Sequence, residues 1–252
     1  MARIRLFIDQ ALAPGQAVGL DAAQAHYLSG VMRQREGDVI TVFNGRDGAW
    51  SARIDHAGKR GGSLTPLAQT APQHDPPDLW LIFAPIKKAR TDFIVEKAAE
   101  MGAARILPVQ TDFTNADRIR QDRLQAHAIE AAEQCGGTFV PQVADLQPLS
   151  RMLAAWQAPR RILWADEFRV GPVETLAGLR PGPWAILIGP EGGFSAAERA
   201  QLSGMAAVAP ISLGPRILRA DTAAVAALTL WQANLGDWRE TGQSGPDPRG
   251  GL

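Results

Sequence analysis

The sequence predicts an α/β protein with a mainly parallel sheet, preceded by a smaller β-rich, barrel-like module. Three observations predict it. From residue 79 onward, apolar runs of strand length alternate with helical segments. Before residue 71, short strands and a hairpin signal surround a single helix. Between them residues 71–78, APQHDPPD, set three prolines among polar residues, which marks a linker. The expected organisation is a β-rich module at 1–70, a linker at 71–78, an α/β domain at 79–240 and a disordered Gly- and Pro-rich tail at 241–252.

In the first module, residues 4–8, 39–43, 49–54 and 63–67 read as strands, and NGRDG at 44–48 is a hairpin turn. Trp50, Ala52 and Ile54 alternate with Ser51, Arg53 and Asp55, the pattern of a strand wet on one face. One helix, 22–33, follows a candidate cap at Asp21. In the second, strands at 79–86, 105–109, 161–165, 184–188 and 211–213 are interleaved with helical segments at 92–101, 117–135, 173–179, 196–202 and 222–235. Gly102 supplies a stop, and Ser195 with Glu198 matches a capping box. Asp221 or Thr222 can cap the last helix. That helix is apolar nearly all round, so burial in the core or at a subunit interface is expected.

Composition removes several classes. The 252 residues are 46% hydrophobic, ample for a core, and 26 Lys and Arg balance 26 Asp and Glu, so no global charge draws a polyanion. Basic residues cluster locally instead, at Arg3 and Arg5, Arg33 and Arg35, Lys59 and Arg60, and Lys87, Lys88 and Arg90. Phosphate contacts need only a few such groups on one face. Residues 1–8 lack a signal-peptide core, and no apolar stretch reaches membrane-spanning length, so no membrane partner is expected. Cys135 is the only cysteine, which precludes an intrachain disulfide and points to a reducing, cytoplasmic setting. The four histidines are scattered, so no metal is expected. Neither a dinucleotide fingerprint, a GxxxxGK[ST] loop nor a GxSxG elbow is present.

The chemistry concentrates in two late turns, IGPEGGFS at 188–195 and LGPRILRADTA at 213–223. Each follows an apolar strand and leads into a helix. Gly189, Gly192, Gly193 and Gly214 let bare backbone approach a ligand. Ligands of parallel sheets sit beyond the carboxyl ends of the strands, where both turns fall.

Together with HYLSGVMR at 26–33, EKAAEMGAARILPV at 96–109 and EAAEQCG at 130–136, these turns resemble the bacterial 16S ribosomal RNA uridine N3-methyltransferase family of the SPOUT superfamily. The resemblance runs along nearly the whole chain. Departures are Gly137 and Ala220, where the family commonly has Arg and Thr, Asp221 where Glu is usual, and Asp112 and Phe113 between Thr111 and Asn115, where the family tends to carry a basic residue.

The resemblance implies a PUA-like first domain and a trefoil-knotted second domain. It also implies a homodimer with the active site near the subunit interface, and 16S ribosomal RNA within the small subunit as substrate. S-adenosylmethionine would lie against Leu187, Ile188, Gly189, Glu191, Gly192 and Gly193 on one turn, and Leu213, Gly214, Arg216, Ile217 and Leu218 on the other. Glu191 and Arg216 either touch the ligand or anchor loop backbone. Uridine N3 carries a proton at neutral pH, so a base and a stabiliser of the developing anion are required. Arg219 is the expected stabiliser, and Asp221 or Glu130 the base. Arg3, Arg5, Arg33, Lys87 and Lys88 are the expected RNA contacts. Two rivals stay open: ribose 2′-O-methylation by the same fold, and a catalytically silent RNA-binding or assembly factor.

Overall fold

The computed structural model describes residues 4–116, 118–169, 176 and 178–239. Arg3, Asp117, most of the expected segment 173–179 and the tail lie outside the described residues. The chain divides into two compact units, one holding residues 4–75 with 132–140, the other 76–131 with 141–239.

The first unit is a curled five-stranded sheet in the order β1-β3-β4-β5-β2. Its strands are β1 (Arg5–Phe7), β2 (Val18–Leu20), β3 (Val39–Phe43), β4 (Ala49–Gly58) and β5 (Gly61–Ala71). β1 runs parallel to β3, and the other pairs are antiparallel. β4 and β5 outrun their expected lengths, because their ladder absorbs register shifts and continues to a hairpin tip at Gly58 and Gly61. β2 was not anticipated; three residues carry too little alternation to read. The expected helix 22–33 is really α1 (Ala22–His26), capped by Asp21 with Gln24 as a reciprocal box, followed by a π-helical turn Tyr27–Val31. Leu6, Ile8, Leu28, Ile40, Ile54 and Leu64 form its core.

The second unit carries a parallel sheet in the order β12-β10-β11-β6-β7-β8, with β9 also pairing β7. The strands are β6 (Leu79–Phe83), β7 (Arg105–Gln110), β8 (Gln142–Val143), β9 (Gln147–Pro148), β10 (Arg161–Ala165), β11 (Trp184–Ile188) and β12 (Val208–Ile211). β11, WAILI, is buried along its whole length between β10 and β6, as an unbroken apolar run in a covered parallel sheet should be. β12 begins three residues before the expected strand, since Val208 to Ile211 pair with Ile162 to Ala165 of β10.

The helices are α2 (Lys88–Glu100), α3 (Gln121–Cys135), α4 (Leu149–Ala154), α5 (Ala196–Ser203) and α6 (Ala220–Leu235). Gly102 stops α2 with φ +74°, and the fully buried Gln232 of α6 donates to the Met101 carbonyl at 2.6 Å. That bond fixes the end of α2 to α6. The buried face of α6 runs through Ala220, Ala224, Leu228, Trp231 and Leu235, while Thr222 and Thr229 stay exposed. Among the described residues no helix is long and apolar enough to cross a membrane.

The strand order places the carboxyl ends of β12, β10 and β11 side by side. The chain leaves β11, passes β10 and forms β12 on the far side. Three loops therefore converge on one place.

Candidate active site

A cleft of about 420 Å³ opens where those loops meet, within the usual ~300–1,000 Å³ of small-molecule sites. Its walls come from Ile188 to Gly193 after β11, from Leu213 to Ala220 after β12, and from Ala165 to Arg169 after β10. The two glycine turns are thus brought together.

The turn after β11 is braced from several elements. Gly193 has φ +70°, and a Cβ there would stand 2.4 Å from Glu167 Oε1. A Cβ on Gly189 would stand 2.7 Å from the Phe194 ring, and one on Gly192 3.1 Å from Phe113 Cβ. The Ser195 and Glu198 capping box is complete, and Ser195 Oγ also donates to Asp112 Oδ2 while Asp112 N–H donates to Glu198 Oε1 at 2.9 Å. Asp112 and Phe113 are therefore structural partners of this turn. Glu191 accepts from Arg90 Nη1 at 2.6 Å, so its carboxylate anchors the loop to α2.

The turn after β12 is held lightly. The Gly214 N–H donates to Ser212 Oγ at 3.2 Å, and Gly214 has φ +117°. Arg216 and Arg219 are exposed and have no ion partner among the described residues, and Ile217 is 77% exposed. Leu218 and Leu213 line the cleft. Leu187 does not; it is buried in the sheet core, so only its backbone stands near the site.

Arg219 is the N-cap of α6 but offers no side-chain cap, which leaves its guanidinium free for another charge. Asp221 follows in the first turn. Its Oδ1 accepts from the Thr222 N–H at 2.9 Å, and Oδ2 lies 3.6 Å from Arg90 Nε. Arg90 thereby faces both Glu191 and Asp221, tying the first turn to the helix that follows the second. Glu130 does not join them: on α3 it is exposed, lines no part of the cleft and lies 3.7 Å from His127 Nδ1.

The loop after β10 went unnoticed in the sequence, although its strand was delimited correctly. Asp166 takes Arg199 with Nη1 to Oδ1 at 2.9 Å and Nη2 to Oδ2 at 3.2 Å, and Glu167 Oε1 accepts the Phe194 N–H at 3.3 Å. The available signal was two acidic residues and an aromatic, DEF, directly after a parallel strand.

The expected RNA contacts separate by environment. Arg33, Lys87 and Lys88 are exposed and have no ion partner among the described residues, and Arg33 has φ +54° beyond the π-helical turn. Arg5 is half-buried and engaged within its own unit. Its Nη2 donates to the Gly137 carbonyl at 2.6 Å and its guanidinium covers the Phe43 ring at 5.0 Å. Burial pulls the Arg5 pKa below its ordinary value, against opposing Cys135 and Glu133. Glu133 in turn accepts the Phe7 N–H at 2.8 Å. Among the described residues no cluster of metal-ligating side chains occurs.

The cleft lies at the strand ends of a parallel α/β unit, in one chain with a curled β-sheet unit. An RNA methyltransferase domain model matches residues 73–232 and an RNA methyltransferase PUA domain model matches residues 20–67, which makes the chain a two-part RNA methyltransferase. The chain is similar to proteins called ribosomal RNA small subunit methyltransferase E. The Synechocystis protein is 30% identical over 86% of this chain and 73% of its own length. That of Rickettsia conorii is 29% identical over 89% of this chain and 93% of its own. The Neisseria gonorrhoeae enzyme of that name, solved with S-adenosyl methionine bound, superposes with TM-score 0.83 at 28% identity over 94% of this chain and 99% of its own. A methyltransferase from Legionella pneumophila, solved with bound SAM, gives 0.84 at 28% identity over 94% and 100%. The chain belongs to the ribosomal RNA small subunit methyltransferase E family.

Proposed function

We propose that the protein transfers a methyl group from S-adenosylmethionine to N3 of a uridine in 16S ribosomal RNA, within the small ribosomal subunit. The observation that carries this reading is the single cleft formed by GPEGG and LGPRILR, in a chain that matches the methyltransferase and PUA models together. The cleft suits this methyl donor. Side chains at Gly189 and Gly193 would collide with Phe194 and Glu167, so bare backbone faces the ligand. Glu167 and Glu191 offer negative charge and Arg216 and Arg219 positive charge to a molecule bearing both signs.

Bound there, the donor supplies a methyl group already activated on a sulfonium. The protein's task is alignment and proton removal. Backbone of residues 188–193 and 213–218 holds the donor, and the unpaired Arg219 stands ready to stabilise charge developing on the uracil carbonyl oxygens. We assign the base to Asp221 and not Glu130. Asp221 directly follows the cleft residues Arg219 and Ala220, whereas Glu130 has no place at the cleft of its own chain. Arg90, 3.6 Å away, orients the Asp221 carboxylate. Arg33, Lys87 and Lys88 bind RNA phosphates.

The same reading carries a trefoil knot between β11 and α6, a homodimer, and a cytoplasmic enzyme of ribosome biogenesis. The chain path supports the knot, since the strand leaving β11 reaches β12 across β10 and α6 then returns to pack against β11 and α2. The test is incubation with small ribosomal subunits lacking the modification and labelled donor, followed by mapping of the label. Label at N3, with a reverse-transcription stop, is expected; label on a ribose oxygen would replace the reading with 2′-O-methylation.

A further inference from the structure

A column of flat groups runs from the sheet to the mouth of the cleft and stops at an uncovered aromatic face. Trp164 of β10 is 1% exposed and meets the Phe194 ring edge-on, centroids 5.8 Å apart at 88°. The Arg199 guanidinium lies over the Trp164 ring at 5.1 Å and over the Phe168 ring at 4.2 Å. A guanidinium between two rings gains from both π-faces. Asp166 grips it along its edge through two hydrogen bonds, and Glu167 stands 3.3 Å from Nη1, so it is held from swinging out. Phe168 lines the cleft yet remains 72% exposed. Braced on one face and open on the other, it is an unfinished stack. On the turn after β12, the equally bare Ile217 lines the same cleft between Arg216 and Arg219.

The chemistry of the acceptor states what finishes it. The lone pair of a deprotonated uracil N3 lies in the ring plane, so the methyl group must arrive edge-on. The reacting edge then points into the cleft, and both ring faces are left for the protein to hold. N3 is also on the pairing edge, so the nucleotide must be out of a helix, where aromatic stacking replaces its lost neighbours. Flat or apolar side chains at the rim, with Arg219 beside them for the carbonyl oxygens and Arg216 for phosphate, meet both requirements.

We propose that Phe168 is the stacking platform for the target uracil, with Ile217 as the apolar wall for the opposite face and Arg199 as the positioning residue that fixes the platform. The proposal rests on the methyltransferase reading above. It is tested with the full-length protein, small subunits lacking the modification, and saturating methyl donor. Phe168→Ala and Phe168→Leu should lower kcat/KM for the subunit by ~10-fold or more, as expected for a lost base stack, whereas Phe168→Tyr keeps the flat face and should stay within about threefold of wild type. Affinity for the demethylated product, read by calorimetry, and oligomeric state, read by light scattering, should not change.

Wild-type kcat/KM in Phe168→Ala overturns the proposal. So does equal damage from Leu and Tyr, a parallel fall in product affinity, which would make the ring a cover for the methyl donor, or a change in oligomeric state. Failure of the wild-type protein to bind the demethylated product or to label N3 overturns the underlying reading instead. The two failures are therefore distinct.

Discussion

The turn after β11 and the turn after β12 face one cleft, and they are held in opposite ways. Around the first, a capping box, Asp112, Glu167, Arg90 and the Phe194 ring hold the backbone and the Glu191 carboxylate. Around the second, one serine hydroxyl holds the glycine, and Arg216, Ile217 and Arg219 stand in solvent. The difference teaches a division of labour. A turn whose neighbours fill all space beside its backbone can shape a fixed ligand site, while a turn whose side chains have no partner holds groups ready for something that arrives later. Under the proposed function, the first belongs to the methyl donor and the second to the RNA.

The largest effect expected from this division lies on the second turn. Arg219→Ala should lower kcat by ~100-fold, the usual loss when one oxyanion donor is removed. Affinity for the demethylated donor and the urea midpoint should hold, because the guanidinium has no ion partner among the described residues. A matching loss of stability would show Arg219 to be a brace, and the contrast between the turns would fail.

Next comes the first turn. Gly193→Ala places a Cβ 2.4 Å from Glu167 Oε1 at φ +70°. We expect about 2 kcal/mol of lost stability from strain and the displaced carboxylate, together with weakened donor binding. Calorimetry and urea denaturation read both. Wild-type donor affinity in this variant would mean that the turn is not the rigid cradle described.

How much of this could be read from the chain depends on how local the cause is. The alternation from residue 79, the Ser195 capping box and the meeting of the two turns rest on short-range patterns, and all are present in the fold. The bracing is not local. Arg90 lies 101 positions from Glu191 and Asp112 lies 83 from Ser195, so no spacing rule links them. Arg5 shows the same limit from the other side: a basic residue in an early cluster looks free until Gly137, 132 positions away, is found on its guanidinium. The third wall of the cleft stayed hidden because strand order, with β10 between β11 and β12, is a property of pairing and leaves no periodicity. β8, β9 and α4 were missed because two to six residues are too few to set a period.

A smaller effect is expected at Ser195. Its hydroxyl accepts from the Glu198 N–H at 3.3 Å and donates to Asp112, so Ser195→Ala removes a cap and a tie to the loop after β7. About 1 kcal/mol of stability should go, with kcat little changed. Since both partners brace the first turn, a large fall in kcat with stability intact would place Ser195 on the chemistry side of the division.

Arg90 gives the smallest change in stability and the sharpest test, because it reaches both halves of the comparison. Its side chain is 30% exposed, against 45% for Glu191 and 20% for Asp221, so solvent screens both pairs. Arg90→Ala should cost only about 0.5 kcal/mol of stability. If Arg90 merely anchors Glu191, Glu191→Ala and the double variant should show that same small coupling in donor affinity, with kcat unmoved. If it also orients Asp221 as the base, kcat at saturating donor should fall a few-fold in Arg90→Ala, while Glu191→Ala leaves kcat in place. An unchanged kcat in Arg90→Ala would remove Arg90 from the orientation of Asp221 while leaving the anchoring of the first turn intact.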